Sequence, residues 1–457
     1  MVHNSPHVLI SGAGLGGLTL AMALEKAKIP YTVLERAAKV KHLGASLALN
    51  SNVIPALSQF GLLPEIEKMS KPVHSLDMYR EDLSLIGAFD VEIYKDITGY
   101  ENVICSRPMM YDLLLSKVPS ANIHMNSKVV SVNHSNDGVT VQCADGTTYS
   151  GDILIGADGA YSTVRQSLYE TLEKDGKLPE SDKGGLGVPK YICMVGTTRP
   201  LDATRYPGLE DDITHFSTCL GNGKPHSWTT STVYGNKISW SCLLQLDADP
   251  RKDGLLTNPE WGPNTNQAMI DEIYNFPIKN GGVLGYLIDS TDPELISKVY
   301  IEEKIFETWN HGAVALIGDA CHKMQPSAGQ GAVNAMQDAI ILANCIYDIE
   351  EPTAEHIAAA LQDYREQRYP HALFQTENSK MMGKLMYGQT WSERLLRTVV
   401  YNLPKWLQSK NYLKASSYRP LVTFLPPVPN TTNLNLLYQK PSKRYAREQA
   451  ESSPASV

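Results

Sequence analysis

The sequence predicts an α/β fold: a Rossmann-like dinucleotide-binding domain, an inserted antiparallel β-sheet substrate domain and a helical C-terminal region. A strand–glycine turn–helix–strand unit stands at the N-terminus, strand-rich segments fill residues 181–300, and strand–helix alternation returns at 301–350. Such alternation is typical of a parallel sheet covered by helices. We therefore expect a first domain part over 1–180, the β-rich domain over 181–300, a second part over 301–380 and a C-terminal segment over 381–457.

The N-terminal unit carries a dinucleotide-binding pattern. The apolar run His7–Ser11 predicts a buried parallel strand, a helix follows "GAGLGG", and Tyr31–Arg36 predicts a second strand. Gly12, Gly14 and Gly17 match G-x-G-x-x-G between the strand and the helix. The motif alone is a weak signal, but its strand–turn–helix context makes it a strong one.

Each glycine has a physical role in that pattern. Gly12 permits the tight turn, Gly14 lets a pyrophosphate approach the backbone, and Gly17 lets helix and strand pack closely. The N-terminus of the helix carries partial positive charge that attracts phosphate. Glu35 lies 18 positions after Gly17 and would accept hydrogen bonds from ribose hydroxyls. The sequence therefore predicts a bound dinucleotide.

The next two segments continue this domain. Residues 102–118 predict the end of a strand followed by a helix, with Arg107 just before Pro108, a residue that suits the first helical turn. Residues 122–159 alternate apolar and polar side chains between Asn-Asp-Gly and Ala-Asp-Gly turns. They predict hairpin strands that end in the buried strand of "DILIGADG".

The middle of the chain differs in composition. Trp, Thr, Tyr and Val are frequent in four segments, which predict antiparallel strands: "KYICMVGTTRPL", "THFSTCL", "HSWTTSTVYG" and "KISWSCLLQL". The strand "AVALIGDA" and the helix "AVNAMQDAIILANCIYDI" then follow, and residues 353–382 have helical spacing. Beyond about residue 415, frequent Pro, Asn and Ser predict a tail without a core of its own.

Charge and cysteine usage exclude several classes of protein. A formal net charge of −8 argues against a nucleic-acid binder, because phosphate contacts need a basic surface. The 7 cysteines are scattered singly, which predicts a reducing compartment rather than a disulfide framework or a structural zinc site. With no apolar run of about 18 residues, we expect a cytoplasmic protein.

The stretch "GDACHKMQPSAGQGAVNAMQDA", 318–339, allows three interpretations: a metal site, a Cys/His nucleophile, or a cradle for a cofactor. A metal would find only Asp319, Cys321 and His322 close together, with no partner cluster elsewhere. A cysteine nucleophile needs a base aimed at it, and adjacent residues rarely point that way. The glycines before a helix start favour the cradle, and we expect no metal.

Three separated motifs, "GAGLGG…LER", "GADGAYSTVR" and "GDACHKMQPSAGQGAVNAMQDA", occur in this order together with Arg107. This combination resembles the FAD-dependent aromatic hydroxylases, the single-component (group A) flavoprotein monooxygenases similar to para-hydroxybenzoate hydroxylase. The resemblance spans roughly residues 7–380. It implies that the Rossmann-like domain is an FAD-binding domain and that the inserted sheet covers the flavin.

The resemblance also implies roles for individual residues. Asp158 would contribute to binding FAD and the nicotinamide, Asp319 would accept hydrogen bonds from the ribityl chain, and Arg107 would reach the ribityl or pyrophosphate region. Pro326 would lie against the flavin ring. The other implied cofactor-binding residues are Gly12, Gly14, Gly17, Glu35, Arg36, Gly44, Ala45, Gly329, Gln330, Gly331 and Ala332. The last four would offer backbone N–H groups to the flavin, with a helix beginning near Gly331 behind them. "AVNA" and Gln337 depart from the family pattern, which puts local contacts in doubt.

The implied chemistry is hydroxylation or epoxidation of a small or medium aromatic or prenylated substrate. NAD(P)H would bind transiently and reduce FAD, O2 would form a flavin C4a-hydroperoxide, and its distal oxygen would pass to the substrate without a reductase partner. Another flavin oxidoreductase, or a flavin-binding protein without activity, remains an alternative. The catalytic residues stay unknown, because His226, Tyr234 and Arg199 suit ordinary surface or core positions better than catalytic ones.

One C-terminal segment has an apolar stripe. Residues 392–410 place Leu395, Leu396, Val399, Val400, Leu403, Trp406 and Leu407 near one face, with Arg394, Arg397, Lys405 and Lys410 available for the other. Such a stripe more often packs against the protein's own domain. Peripheral contact with a membrane is the alternative.

Overall fold

The fold is taken from a computed structural model, which describes residues 5–40, 44, 46–135, 138–246, 266–388, 390–429 and 432–452. Ala45, one of the predicted flavin-side residues, lies outside the described residues. The α/β class predicted from the sequence is confirmed, because parallel strands flanked by helices are combined with a large, mainly antiparallel sheet.

The strands are β1 (Val8–Ser11), β2 (Tyr31–Leu34), β3 (Ser46–Leu49), β4 (Ser70–Arg80), β5 (Leu85–Asp90), β6 (Val103–Ser106), β7 (Ile123–His124), β8 (Val129–Ser135), β9 (Gly138–Cys143), β10 (Thr148–Gly151), β11 (Ile153–Gly156), β12 (Tyr191–Thr197), β13 (Thr214–Leu220), β14 (His226–Val233), β15 (Lys237–Gln245), β16 (Ser297–Ile301), β17 (Lys304–Ile305), β18 (Asn310–His311), β19 (Val314–Leu316) and β20 (His322–Lys323). The helices are α1 (Leu15–Ala27), α2 (Ile54–Gln59), α3 (Leu63–Met69), α4 (Tyr94–Thr98), α5 (Arg107–Ser116), α6 (Thr163–Lys174), α7 (Gln267–Ile273), α8 (Leu284–Asp289), α9 (Gly331–Tyr347), α10 (Ala354–Tyr387), α11 (Trp391–Tyr401), α12 (Lys405–Ser416) and α13 (Lys443–Ser452).

The first sheet has six strands in the order β18-β19-β11-β1-β2-β7. β1 pairs in parallel with β2 and with β11, and β11 pairs in parallel with β19. β1 and β11 are buried along their whole length, as a parallel sheet with both faces covered requires. The predicted strand–helix–strand unit is therefore present. Its second strand ends at Leu34, two residues earlier than predicted.

The second sheet has nine strands, with β16-β12-β15-β14-β13-β4-β6-β3 in order and β5 paired to β4. The four predicted segments form β12 to β15, which pair antiparallel as β12-β15-β14-β13. Four strands that precede residue 181, β3 to β6, also join this sheet. The chain therefore crosses between the two sheets before the predicted domain boundary as well as after it.

Different layers cover the two faces of the second sheet. Trp228 and Trp240 of the sheet and Ile273 and Leu287 of α7 and α8 belong to one buried cluster on the outer face. The inner face contributes to another cluster with the end of α10, which includes Met386. Because neighbours along a strand point to opposite faces, each strand has one set of side chains for each layer.

The C-terminal region returns to the first domain. α10 packs on α9, α11 packs on α10, and Phe424 of the tail stacks on Tyr347 with ring centroids 4.5 Å apart. The tail therefore contributes to the main core instead of forming one of its own. Among the described helices, none combines the length and the apolar character that crossing a membrane would require.

Candidate functional site

The candidate site lies at one edge of the parallel sheet. β2, β1, β11 and β19 run in the same direction and end at paired positions. The residues that follow these ends include, in the same order, Glu35, Gly12, Asp158 and Asp319. Ligands of open α/β sheets bind outside the carboxyl ends of the strands. The fold thus brings three motifs that are far apart in the chain to one edge.

Two glycines of the turn between β1 and α1 differ in the space that surrounds them. A Cβ atom on Gly17 would lie far inside van der Waals contact with the Gly12 carbonyl oxygen, so Gly17 is needed for packing. A Cβ atom on Gly14 would meet no atom of the described residues within 4 Å. No described side chain caps α1, and its first turn contains no acid. The turn therefore leaves open space in front of a helix N-terminus, which suits a phosphate.

Glu35 is fixed beside this turn. Its Oε2 accepts a hydrogen bond of 2.9 Å from the Ala13 N–H, and its Oε1 accepts one of 2.8 Å from the Ala37 N–H. Each carboxylate oxygen keeps further acceptor capacity, which a ribose hydroxyl could use. The neighbouring Arg36 side chain is exposed.

Asp158 follows β11 and binds the start of α6. Its Oδ2 accepts hydrogen bonds from Thr163 N–H at 2.8 Å and Val164 N–H at 3.2 Å. Its Oδ1 is buried and has no partner among the described residues. Burial raises the pKa of Asp158. Arg165 then joins two motifs, because it donates to the carbonyls of Ala160 and Ala320 at 2.7 and 2.8 Å.

Asp319 stands in a short 3-10 turn after β19, and its side chain is exposed. The turn begins at Gly318, whose φ of +61° lies in the left-handed region that favours glycine. The Gly318 N–H donates a 2.9 Å hydrogen bond to Asp338 Oδ2 on α9. The turn is therefore held from below by a buried carboxylate while Asp319 faces outward.

Gly44 and Arg107 lie next to each other. An added Cβ on Gly44 would come within 3.0 Å of Arg107 Cδ, and Arg107 is the first residue of α5. An added Cβ on Gly329 would be 3.5 Å from Ala48 Cβ on β3. A cavity of ≈ 330 Å³ borders Gly44 and also reaches Ser106 and Thr197.

The predicted helix start is confirmed, because α9 begins at Gly331. No described side chain caps this helix, and an added Cβ on Gly331 would meet no described atom within 4 Å. Oε1 of the buried Gln330 has no partner within the described part of the chain. An added Cβ on Gly16 would be 3.2 Å from Ala335 Cβ, which places the first turns of α1 and α9 side by side. Pro326, in the turn just before, is exposed.

Cys321 and His322 are buried beneath this surface. The Cys321 thiol donates to the carbonyls of Leu316 and Gly318, both at 3.5 Å, and burial raises its pKa well above the usual value. A thiol in that state is a poor nucleophile. His322 lies 5.2 Å from the Trp309 ring and binds Asp338 through Nε2 at 2.6 Å.

The sequence did not predict the buried hydrogen-bond network around Asp338. Cys321, His322 and Asp338 place potential metal ligands within 4.8 Å of one another, but Asp338 also binds Arg368 Nε at 2.7 Å through Oδ1. Burial would raise the pKa of Asp338, yet the imidazole and the guanidinium lower it to about 2. The carboxylate is therefore charged and engaged with protein groups. An acid on the apolar helix α9 was the one sequence signal for it.

The two departures from the family pattern have specific partners. Gln337, which replaces the usual acid, donates a 3.1 Å hydrogen bond to the carbonyl of Asn52. Asn334 donates to the Gln330 carbonyl at 3.0 Å and accepts from Arg368 NH2 at 3.0 Å. Both amides therefore stabilise the start of α9 from within the protein.

Two rows of hydroxyl groups cross the inner face of the second sheet. Thr218, Thr229 and Ser241 are paired neighbours on three adjacent strands, and the two threonine hydroxyls are 3.0 Å apart. Ser231, Ser239 and Thr197 form the next row, with Ser231 bonded to Ser46 of β3 at 3.3 Å. Apolar Val195 and Phe216 continue the rows. Val195, Phe216, Thr229 and Ser241 are only partly buried although they lie within the sheet, so this face borders open space.

Of the three substrate-domain residues considered from the sequence, Arg199 borders the cavity beside Gly44, whereas His226 and Tyr234 do not. His226 is buried on the outer face, 5.3 Å from the Phe276 ring. Tyr234 is exposed in the turn between β14 and β15, and Arg199 forms an exposed ion pair of 2.7 Å with Asp292. Their positions agree with ordinary structural roles.

FAD fits the residues at this edge. The open space at Gly14 and the uncapped start of α1 suit a pyrophosphate, and Glu35 suits a ribose. The exposed Asp319 suits a ribityl chain, and the uncapped start of α9 suits the electron-rich edge of a flavin. The inner face of the second sheet carries hydroxyl and apolar groups and is bonded to β3 through Ser231 and Ser46.

Comparison with known proteins points the same way. The chain matches the family model described as an FAD binding domain over residues 6–186 and 287–379. It is 26% identical over 437 residues to the FAD-dependent monooxygenase atmM of Aspergillus flavus, covering 92% of this chain and 86% of that protein. It is 30% identical over 379 residues to penM of Penicillium crustosum, also an FAD-dependent monooxygenase, covering 80% of this chain and 75% of that protein.

Solved structures share the fold. HpxO of Klebsiella pneumoniae in complex with FAD and uric acid superposes with a TM-score of 0.72 at 21% identity, covering 91% of this chain and 97% of that one. A point variant of HpxO in complex with FAD gives a TM-score of 0.74 at 22% identity, covering 91% of this chain and 99% of that one. At these identities the likeness establishes a common fold.

Proposed function

The chain belongs to the family of FAD-dependent aromatic hydroxylases and monooxygenases, and we propose that it inserts one oxygen atom from O2 into a small or medium organic substrate, with NAD(P)H as the reductant. The reaction would be a hydroxylation or an epoxidation of an aromatic or prenylated compound. It would follow the oxygen-transfer route implied by the sequence resemblance. The enzyme is an FAD-containing oxidoreductase.

One observation supports the proposal most strongly: the glycine turn, Asp319 and the start of α9 lie at the same edge of the parallel sheet. We expect the turn at Gly14 to hold the pyrophosphate, Glu35 the ribose, and Asp319 with Arg107 the ribityl region. The backbone from Gly329 to Ala332 would face the flavin. When bound, FAD supplies the acceptor for hydride from NAD(P)H and the site of O2 activation.

The protein's own contribution would be orientation and exclusion of water. The N-terminus of α9 would stabilise negative charge on the reduced flavin, with each contact contributing about 0.3–1 kcal/mol when exposed and up to about 2 kcal/mol when partly buried. The second sheet would keep water from the reacting atoms, which matters because water discharges the activated oxygen unproductively. Val195 and Phe216 support this role, since they add apolar surface to its inner face.

The hydroxyl rows favour a neutral substrate. Their six side chains donate or accept hydrogen bonds but carry no charge: Thr218, Thr229, Ser241, Ser231, Ser239 and Thr197. A carboxylate substrate would need a cation to replace its lost hydration, and a phenol that must ionise would need a base. We propose that the substrate presents an electron-rich ring or alkene together with neutral oxygen groups.

The proposed enzyme works as a single component. NAD(P)H would bind transiently, because the sequence contains no second dinucleotide fingerprint, and no reductase partner would be needed. A cytoplasmic location is proposed on the basis of the cysteines, all seven of which are free and buried.

Incubation with ¹⁸O2 tests the reaction. Purified holoenzyme, NADPH or NADH and a panel of phenols, aromatic acids and prenylated aromatics are analysed by mass spectrometry. We expect one labelled oxygen in the product of a neutral panel member, and faster NAD(P)H oxidation with that substrate than without it. Heat-inactivated enzyme and H₂¹⁸O with unlabelled O2 are the controls. Oxygen derived only from water, or desaturation without oxygen insertion, would refute the monooxygenase while leaving FAD binding intact.

A further inference from the structure

Helix α11 has a wide apolar face, of which one part packs on the protein and the other faces water. Its inner side is occupied: Arg397 is buried and donates to the carbonyls of Leu385 at 2.6 Å and Gly388 at 2.5 Å. Leu396 and Val400, on the same side, are partly buried. The helix is thus anchored to the end of α10 without using the rest of its apolar side chains. A capping box between Thr390 and Glu393 fixes where it begins.

The outer side carries an exposed apolar stripe. Trp391, Leu395 and Val399 are spaced by four residues and are 79%, 56% and 50% exposed. Trp406 at the start of α12 is 72% exposed. The stripe predicted over 392–410 is therefore divided. Leu396, Val400, Leu403 and Leu407 are partly buried, whereas Leu395, Val399 and Trp406 face water, as does Trp391 just before the stripe.

The tryptophans are distributed unevenly over the molecule. Of the five that the structure describes, three are at most 1% exposed: Trp228, Trp240 and Trp309. Both exposed ones, Trp391 and Trp406, belong to this single segment. Tryptophan concentrates at membrane–water boundaries, where its ring meets hydrocarbon and its N–H meets water.

The segment that contains α11 and α12, residues 380–414, differs in charge from the rest of the chain. Residues 380–414 contain seven Lys or Arg and one acid, Glu393, in a protein whose formal net charge is −8. Glu393 is already bound to the Thr390 backbone in the capping box, while Lys384, Arg394 and Lys410 are exposed. Basic side chains beside an apolar stripe are complementary to a bilayer with anionic headgroups.

We propose that α11 and the start of α12 form a docking surface for an anionic bilayer, with Trp391, Leu395, Val399 and Trp406 inserted at the headgroup boundary and the nearby basic side chains facing lipid phosphates. A second copy of the chain is the less favoured occupant, because two surfaces of the same positive sign repel each other. Docking would hold the enzyme where apolar substrates partition.

Vesicle flotation of the FAD-loaded full-length protein tests this surface. Phosphatidylcholine vesicles containing about 30% phosphatidylserine are compared with pure phosphatidylcholine vesicles, at low salt and at about 0.5 M NaCl. We expect flotation with the anionic vesicles, and roughly fivefold weaker partitioning for each basic contact that neutral lipid or salt removes. The double variant Trp391→Ser/Trp406→Ser should reduce partitioning at least about tenfold while retaining FAD and activity in solution.

Tyr286→Ser is the matched control, since Tyr286 is an exposed aromatic residue (46%) on α8, outside the segment. It should float like the unmodified protein. Absence of flotation with anionic vesicles, or an equal loss in the Tyr286 variant, would overturn the proposal. Sedimentation analysis tests whether a second copy of the chain binds this surface instead. Self-association that the double variant abolishes, without vesicle binding, would assign the surface to a second copy and overturn the proposal.

Discussion

Replacing Gly14 with valine is expected to remove FAD binding without unfolding the protein. Gly14 has an extended backbone, φ −72° and ψ −178°, which any residue adopts, and an added Cβ meets no described atom within 4 Å. The free protein therefore gives no steric reason for glycine at this position. The reason would be the pyrophosphate, whose approach to the backbone a branched side chain blocks.

The expected free energies distinguish a loss of FAD binding from a loss of folding stability. Loss of two phosphate contacts at a helix N-terminus corresponds to about 2–4 kcal/mol, which is roughly 30- to 1000-fold in affinity. The fold loses no capping bond, because no described side chain caps α1, and valine at this position should cost at most about 1 kcal/mol. Gly17→Ala is the opposite case. Its Cβ would collide with the Gly12 carbonyl oxygen, and overpacking of this kind costs about 1–3 kcal/mol.

The assay uses apoprotein for both variants. Thermal or urea unfolding reports the stability of the fold, and titration with FAD followed by flavin fluorescence reports affinity. Gly14→Val should unfold close to the unmodified apoprotein yet bind FAD at least about 30-fold more weakly. Gly17→Ala should lose stability before any cofactor is added. Unchanged FAD affinity in the Gly14 variant, or equal destabilisation of both apoproteins, would refute the reasoning.

Two further predictions concern the turn after β19 and a buried histidine on α10. Asp319→Ala should weaken FAD retention about tenfold or more after gel filtration. Cys321→Ser should keep FAD and activity, because a hydroxyl can donate to the same two carbonyls. An inactive Cys321 variant that still binds FAD fully would contradict this prediction. His371 is buried on α10, with its ring stacked 3.9 Å from the ring of Tyr418. Burial, and then Arg368, lower the pKa of His371 to about 2, so its neutral form contributes stability that is complete above the unfolded pKa near 6.5 and is lost as the pH falls. Between about pH 6.5 and 5, His371→Gln should lose roughly 1–2 kcal/mol less unfolding free energy than the unmodified protein in urea titrations, and identical pH slopes would contradict this prediction.

Local patterns were sufficient to predict much of the fold. The strand–turn–helix unit at Gly12, the strands β12 to β15 and the helix start at Gly331 all appear where expected. Each depends on a short-range rule: the alternation of side chains along a strand, the helical repeat, or the conformational freedom of glycine. Because such rules act within about ten residues, they can be read without knowing what packs against the element. The family could be identified from the sequence because each of the three motifs is recognisable from its own few residues.

Long-range placement could not be obtained in this way. The Asp338 network joins α9, α10 and the turn after β19, and the nine-stranded sheet recruits β3 to β6 from before its predicted boundary. Leu395 and Leu396 are neighbours with the same hydrophobicity, yet one faces water and the other is partly buried. Which face of a helix or sheet is covered depends on the elements that fold over it. That arrangement is set by the summed packing of the whole chain, and no local periodicity contains it.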